Sequence, residues 1–178
     1  MKQIQNMKLG ELAAYICSEL LSNGIRCVLS GGACVAIYSK NKFMSYDLDF
    51  IDNAFTPRKK IKEVLGKIGF YEENRYFKHK KTEYFIEFPS GPLSVGSEPV
   101  KEICELEFST GKLLIISATD CVKDRLAAYF YWDDLQSLEQ AILVSQMNFI
   151  DFKEIQRWVK AEKQETKFYD VRKKLINK

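Results

Sequence analysis

The sequence has 178 residues, 46% of them hydrophobic, and a formal net charge of only +3. It is therefore long enough for one domain with an ordinary core, and it lacks the strongly basic balance of a dedicated nucleic-acid-binding protein. Five cysteines without a CxxC pair argue against a zinc site or a disulfide framework. No apolar run approaches the ~20 residues that span a bilayer, so we expect a cytoplasmic protein with no membrane contact.

The first part of the chain alternates between helical and extended patterns. Apolar residues at helical spacing predict helices, and short apolar or alternating runs predict strands. A Thr-Pro pair at the start of the last of these helices offers a cap and a first-turn proline. The predicted elements are a helix over 9–21, a strand over 25–30, a helix over 33–38, a strand over 47–52 and a helix over 56–69.

The remainder changes from strands to helices. Hairpins are predicted over 75–88 and 103–116, with a Gly- and Pro-rich loop over 89–99 between them. Helices are predicted over 118–131, 134–145, 151–161 and 166–176. This order predicts an α+β fold, a mixed β-sheet flanked by helices with a C-terminal helical tail. We expect residues 1–117 to form an α/β core and residues 118–178 a helical region packed on it.

The first candidate feature is the turn that joins the second predicted helix to the strand before it. Ser30, Gly31 and Gly32 occupy this turn. Two glycines let backbone amides approach an anion closely, and the N-terminus of the next helix favours negative charge. A plain tight turn is the alternative interpretation of a glycine pair.

The second feature is a pair of carboxylates, Asp47 and Asp49. Residues two apart on a strand project from the same face, so both carboxylates point one way. Like charges so close repel each other unless a cation lies between them, and a divalent cation such as magnesium prefers carboxylate oxygens. The alternative is a solvated edge strand with a charged outer face.

A third carboxylate, Glu87, lies within the aromatic and aliphatic run 84–88. Solubility explains an acidic residue there poorly, so it either faces outward at the strand's end or completes a carboxylate cluster. Glu83 is the rival candidate, four residues earlier on the same face. We expect Glu87 to approach the aspartates and Glu83, next to a basic turn, to be solvated.

Together these features resemble the nucleotidyltransferase superfamily pattern: a glycine pair after a strand, an Asp-hydrophobic-Asp strand and a third acidic residue on a neighbouring strand. The corresponding segments are LSGG at 29–32, SYDLDF at 45–50 and FIEF at 85–88. The chain is most similar to the stand-alone bacterial and archaeal group that includes the abortive-infection type II toxins. That group has a KLxA-like motif in its helical tail, where this chain reads DRLAA at 124–128, with Arg125 in the lysine's place.

The resemblance implies a role for each of these residues. Mg²⁺ (or Mn²⁺) would be ligated by the carboxylates, and one of them would activate the acceptor hydroxyl or help to hold a second metal. The NTP would be held by backbone amides, a hydroxyl and a guanidinium near its distal phosphates. The implied catalytic and metal-binding residues are Asp47, Asp49 and Glu87, with Glu87 as the activating group. The implied nucleotide-binding residues are Ser30, Gly31, Gly32 and Arg125.

The implied activity is metal-dependent transfer of a nucleoside monophosphate from an NTP to a protein, tRNA or small-molecule acceptor. A catalytically inactive nucleotide- or partner-binding module of the same fold is one alternative, and a structural component of a toxin–antitoxin pair is another. The intact carboxylate set favours the enzyme. Arg125 also has a structural alternative, an ion pair with Asp133, Asp134 or another acid of the tail.

Overall fold

The computed structural model describes residues 3–176. After a short 3-10 helix (Ile4–Asn6), the α-helices are α1 (Leu9–Ser22), α2 (Gly31–Tyr38), α3 (Arg58–Lys67), α4 (Ala118–Trp132), α5 (Leu135–Met147), α6 (Phe152–Ala161) and α7 (Glu165–Ile176). The strands are β1 (Cys27–Ser30), β2 (Asp47–Asp52), β3 (Tyr71–Glu73), β4 (Tyr76–Lys78), β5 (Phe85–Glu87), β6 (Ser94–Val95), β7 (Glu98–Pro99), β8 (Ile103–Phe108) and β9 (Gly111–Ile116). None of these helices has the length and apolarity needed to cross a membrane.

The main sheet has seven strands in the order β3-β4-β5-β2-β1-β9-β8. The pairs β2–β5 and β1–β9 are parallel, whereas β1–β2, β3–β4, β4–β5 and β8–β9 are antiparallel. The predicted α+β fold with a mixed sheet flanked by helices is therefore confirmed. Because β2 lies between β5 and β1, the alternative interpretation of the 47–52 segment as an edge strand is wrong.

The core forms where amphipathic elements turn their apolar faces to the sheet. In β2, Leu48 and Phe50 are fully buried while the two aspartates between and beside them are only half-buried. Helix α1 buries Leu12 and Ile16, four residues apart and so on one side, and it packs on β9 and β1. Helix α2 contacts β1 and β2 and also α4, which connects the sheet to the C-terminal helices.

The C-terminal helices hold one another through a buried aromatic side chain and a buried cation. Trp158 of α6 is fully buried and stacks on Phe130 of α4, with 6.0 Å between ring centroids. Lys123 of α4 is also buried, and its Nζ contacts Asp120 at 2.9 Å and Glu154 of α6 at 2.8 Å. These contacts fix α4 against α6.

Several boundaries differ from the predicted ones for identifiable reasons. Strand β3 was not predicted, because its Tyr-Glu-Glu sequence is polar and it needs only one partner, β4, at the sheet edge. Helix α2 begins at Gly31, before the predicted start. Helix α3 begins at Arg58 with Pro57 as its N-cap, since the Thr56 amide instead donates to Asp52 at 2.6 Å. The predicted 89–99 loop contains the small β6–β7 hairpin.

Candidate active site

The three acidic side chains singled out in the sequence lie on two neighbouring parallel strands. Asp47 and Asp49 are two residues apart on β2, and the β2–β5 register pairs Asp49 with Glu87. Residues paired across strands project from the same face of the sheet, so Glu87 adds a third carboxylate to the aspartate pair. Glu83 precedes β5 and is exposed. Glu87, not Glu83, is thus the acidic neighbour of the aspartates.

The Asp49 carboxylate lies directly against the turn between β1 and α2. Ser30 and Asp49 are register partners, and a Cβ added to Gly31 would overlap Asp49 Oδ2. Gly31 also has φ +68°, a left-handed backbone conformation that favours glycine. Both constraints require glycine at this position, because any side chain would push the carboxylate away from the turn.

Negative charge accumulates at Asp49 without full compensation. Its pKa is raised from 3.8 to about 7, first by burial and then by the neighbouring charges of Asp47 and Glu87, while Arg125 opposes the shift. A carboxyl group titrating near neutrality at the floor of a cleft is typical of a functional site. A positive charge bound between the carboxylates would oppose the part of this shift that comes from Asp47 and Glu87.

Asp47 and Gly32 share a neighbour that the sequence did not indicate. The Ser45 hydroxyl donates to Asp47 Oδ1 at 2.5 Å, and a Cβ on Gly32 would lie 3.1 Å from the same hydroxyl oxygen. Ser45 therefore orients Asp47 and lies over the start of α2. No sequence pattern marks this contact, because it depends on the conformation of the loop before β2.

A cleft of about 330 Å³ opens above the carboxylates. Its lining includes Ser30, Gly31, Asp49, Glu87 and Arg125, five of the seven site residues predicted from the sequence. Asp47 and Gly32 are not among the lining residues. The Ser30 side chain makes no capping hydrogen bond to α2, and its hydroxyl donates only a long bond to the Asp49 carbonyl oxygen, at 3.3 Å. The N-terminus of α2 thus lies beside the cleft without a side-chain cap.

Arg125 reaches this cleft from α4, but it also has partners within the helical tail. Its guanidinium forms an ion pair with Asp124, through Nε at 3.0 Å and through Nη2, and Nη1 donates to Gln140 at 3.4 Å. Asp124 is thus the tail acid of the expected structural alternative, whereas Asp134 caps α5 and Asp133 pairs with a lysine of α7. Arg125 therefore combines a structural ion pair with a position at the cleft.

One wall of the cleft is the 89–95 segment, which no sequence motif had marked. The C-terminal helices hold this segment and the turn after it: Trp158 Nε1 donates to the Val95 carbonyl oxygen at 3.2 Å, and Glu162 accepts the Ser97 amide at 2.8 Å. Arg157 of α6 also forms a fork with Glu98, at 2.9 and 2.5 Å. The tail thereby shapes the site although most of its residues lie outside the lining.

The donor chemistry of the cluster fits a divalent cation. Three carboxylates supply the hard oxygen ligands that a divalent cation prefers, and the charges of Asp47 and Glu87 add to the burial that raises the pKa of Asp49. Within residues 3–176, no three His, Cys, Asp or Glu side chains are already arranged around one point as metal ligands. Two of the carboxylates have other partners, Ser45 for Asp47 and Arg75 for Glu87. Binding a cation would require these two side chains to exchange partners.

The similarities to known proteins that support the fold are found by comparing structures, and not by comparing sequences. No family model matches the chain, and no curated protein matches it in sequence. It is similar in structure to an antigenic nucleotidyltransferase-like protein from Paracoccidioides brasiliensis, with a TM-score of 0.66 and 12% identity over 94% of this chain and 91% of that chain.

Two structures of the antibiotic-resistance factor ANT(2″)-Ia are also similar. The complex with adenylyl-2″-tobramycin has a TM-score of 0.53 and 13% identity over 85% of this chain and 94% of that chain. The solution structure has a TM-score of 0.53 and 10% identity over 92% and 95%. None of these similarities concerns the abortive-infection toxin group, so that finer assignment stays a prediction. Identities this low establish architecture and not chemistry, and the architecture of this chain is the nucleotidyltransferase-like fold.

Proposed function

We propose that the chain is a metal-dependent nucleotidyltransferase that transfers a nucleoside monophosphate from an NTP to a hydroxyl-bearing acceptor. The observation that carries this proposal is the register of β2 with β5, which sets Glu87 beside Asp49 and Asp47 at the Gly31 turn. Charge repulsion and burial at this point need a cation, and a nucleotide's phosphates need both a cation and backbone donors.

In this proposal Asp47, Asp49 and Glu87 hold Mg²⁺ or Mn²⁺. The bound ion would stabilise the charge that develops on the attacking and leaving oxygens. Glu87 also accepts the proton of the acceptor hydroxyl. The hydroxyl oxygen forms a bond to the α-phosphorus, the bond to the bridging oxygen of the β-phosphate breaks, and pyrophosphate leaves with that electron pair.

The remaining predicted residues position the nucleotide. The Gly31 and Gly32 amides and the Ser30 hydroxyl bind phosphate oxygens at the uncapped N-terminus of α2. Arg125 approaches the distal phosphates from α4, since it lines the same cleft. Its pair with Asp124 holds the guanidinium in place before the nucleotide arrives.

Among the acceptors, we favour a small molecule over a tRNA or a protein. The solved complex of the structurally similar ANT(2″)-Ia contains an adenylylated small molecule, adenylyl-2″-tobramycin. This observation supports a compact, hydroxylated acceptor.

The test is label transfer from each of the four NTPs, labelled at the α-phosphate, with Mg²⁺ or Mn²⁺. Separate reactions contain a panel of hydroxylated small molecules, tRNA or a protein extract as acceptor. We expect transfer by the wild type, and none by the Asp49→Asn and Glu87→Gln variants. Glu83→Gln is the matched control, because Glu83 is exposed outside β5. Metal-dependent nucleotide binding without transfer would instead support the binding module, and no nucleotide binding would overturn both.

A second pair of variants separates the two roles of Arg125. Arg125→Ala removes the guanidinium from the cleft as well as its structural contacts, whereas Gln140→Ala removes only one structural contact. We expect nucleotide affinity to fall with the first variant and to stay unchanged with the second. Equal affinities with a lower melting temperature for Arg125→Ala would assign Arg125 to stability alone.

A further inference from the structure

A cation that no sequence motif had marked lies at the rim of the carboxylate cluster. Arg75 is in the turn between β3 and β4, next to Asn74, which has a positive φ of 57°. Its Nε lies 3.3 Å from Glu87 Oε1, and its guanidinium carbon is 4.9 Å from the centroid of the Tyr76 ring. The Arg75 carbonyl oxygen accepts a bond from Arg58 Nη2 at 2.8 Å. The backbone of Arg75 is therefore tied to Arg58, while its side chain is largely exposed.

The sheet register explains why Arg75 meets Glu87. Tyr76 and Glu87 are partners in the β4–β5 pairing, so the residue before Tyr76 lies at the end of β5 that carries the carboxylate. The charge of Arg75 interacts with Asp49 as well as with Glu87. Arg75 thus supplies a positive charge at one edge of the cluster of three carboxylates.

We propose that Arg75 is a stand-in counter-ion that holds Glu87 until a divalent cation binds, and that the two cations compete for this carboxylate. The inference rests on the metal site of the proposed function and adds a positioning residue to it. Arg75 keeps Glu87 oriented toward the sheet edge and lowers the charge repulsion among the carboxylates in the absence of metal.

The exposure of the ion pair makes the exchange possible. The Arg75 side chain is 69% exposed, and its Nε approaches Glu87 Oε1 only to 3.3 Å. Exposed ion pairs of this kind contribute little free energy, so a divalent ion held by three carboxylates can displace the guanidinium. A bound cation would also repel Arg75, which can then move into solvent without leaving a buried charge.

The test is direct titration of Mn²⁺ without nucleotide, with free Mn²⁺ measured by electron paramagnetic resonance. Arg75→Gln should bind Mn²⁺ roughly two- to fivefold more tightly than the wild type, the range that the loss of a weak competing ion pair allows. Arg75→Lys keeps a competing cation and should restore an affinity close to the wild type. Lys78→Gln is the charge-matched control, because Lys78 is in the same hairpin and pairs with Glu73, outside the cluster.

The melting temperature without metal is a second measurement, and here Arg75→Gln should be weaker than the wild type and not stronger. In EDTA, Arg75→Gln should melt at a lower temperature than the wild type, because the carboxylates lose their counter-ion, while saturating Mn²⁺ should remove most of that difference. Equal Mn²⁺ affinities for Arg75→Gln and Lys78→Gln would overturn the role of Arg75 and leave the metal site intact. If Asp49→Asn bound Mn²⁺ as the wild type does, or the wild type bound none, the metal site and the inference would both be wrong.

Discussion

Replacing Asp49 by asparagine tests the electrostatics of the candidate site without any assumption about substrate. The pKa of Asp49 is raised from 3.8 to about 7, first by burial and then by the charges of Asp47 and Glu87. A raised carboxyl pKa means that the native state keeps a proton that the unfolded chain has already lost. The free energy of unfolding therefore falls as pH rises from the unfolded pKa through the native one.

The size of this effect follows from the two pKa values. Linkage gives a loss of about 2–3 kcal/mol of wild-type stability between about pH 5 and about pH 8. Asp49→Asn keeps the side-chain shape and removes the titration. Relative to the wild type, the variant should therefore gain about 2–3 kcal/mol between about pH 5 and about pH 8.

Urea denaturation at both pH values, in EDTA and followed by tryptophan fluorescence, measures this difference. Asp170→Asn, which changes an exposed carboxylate of α7, is the control and should show no comparable trend. Magnesium added at the higher pH should stabilise the wild type and leave Asp49→Asn unchanged, because a ligand of the native state raises its stability. A stability difference between Asp49→Asn and the wild type that is the same at both pH values would refute the reasoning.

Three further substitutions test individual features of the fold by urea denaturation. Gly31→Ala should lower the free energy of unfolding by about 1–3 kcal/mol, because φ is positive and the new Cβ meets the Asp49 carboxylate. Gly66→Ala is the control and should not destabilise the protein, because a Cβ there meets open space. Lys123→Met should cost about 3–5 kcal/mol by leaving its acidic partners without a cation, and a neutral result would contradict the buried ion pair. Trp158→Ala should cost about 3–5 kcal/mol, and a smaller loss would show that α6 does not anchor the cleft wall.

The local features of this protein could be predicted from its sequence. The alternation of charge and apolarity over 47–52 predicted β2 with its observed bounds, and the hairpin of β8 and β9 followed from two apolar runs around a glycine turn. These features depend on neighbours within a few residues, where side-chain periodicity directly reflects burial. Strand β3 was missed because a short polar edge strand has no such periodicity.

Only part of the candidate site could be predicted from the sequence. The sequence identified the carboxylates and the glycine turn, and it favoured Glu87 over Glu83 from the apolar context of β5. It could not indicate that Ser45 orients Asp47 or that Arg75 pairs with Glu87. Those contacts depend on loop conformations and on side-chain directions that no pattern in the chain specifies.

The amino-acid sequence alone specifies most of the helices and strands and the residue types available for chemistry. Which of these residues meet depends on the fold, because Asp49 and Glu87 become neighbours through the parallel pairing of β2 with β5 across a helix and two further strands. Local propensity does not specify the register of such a distant pair; it is set when whole apolar faces are buried together. The same burial brings α4 to the cleft and raises the pKa of Asp49.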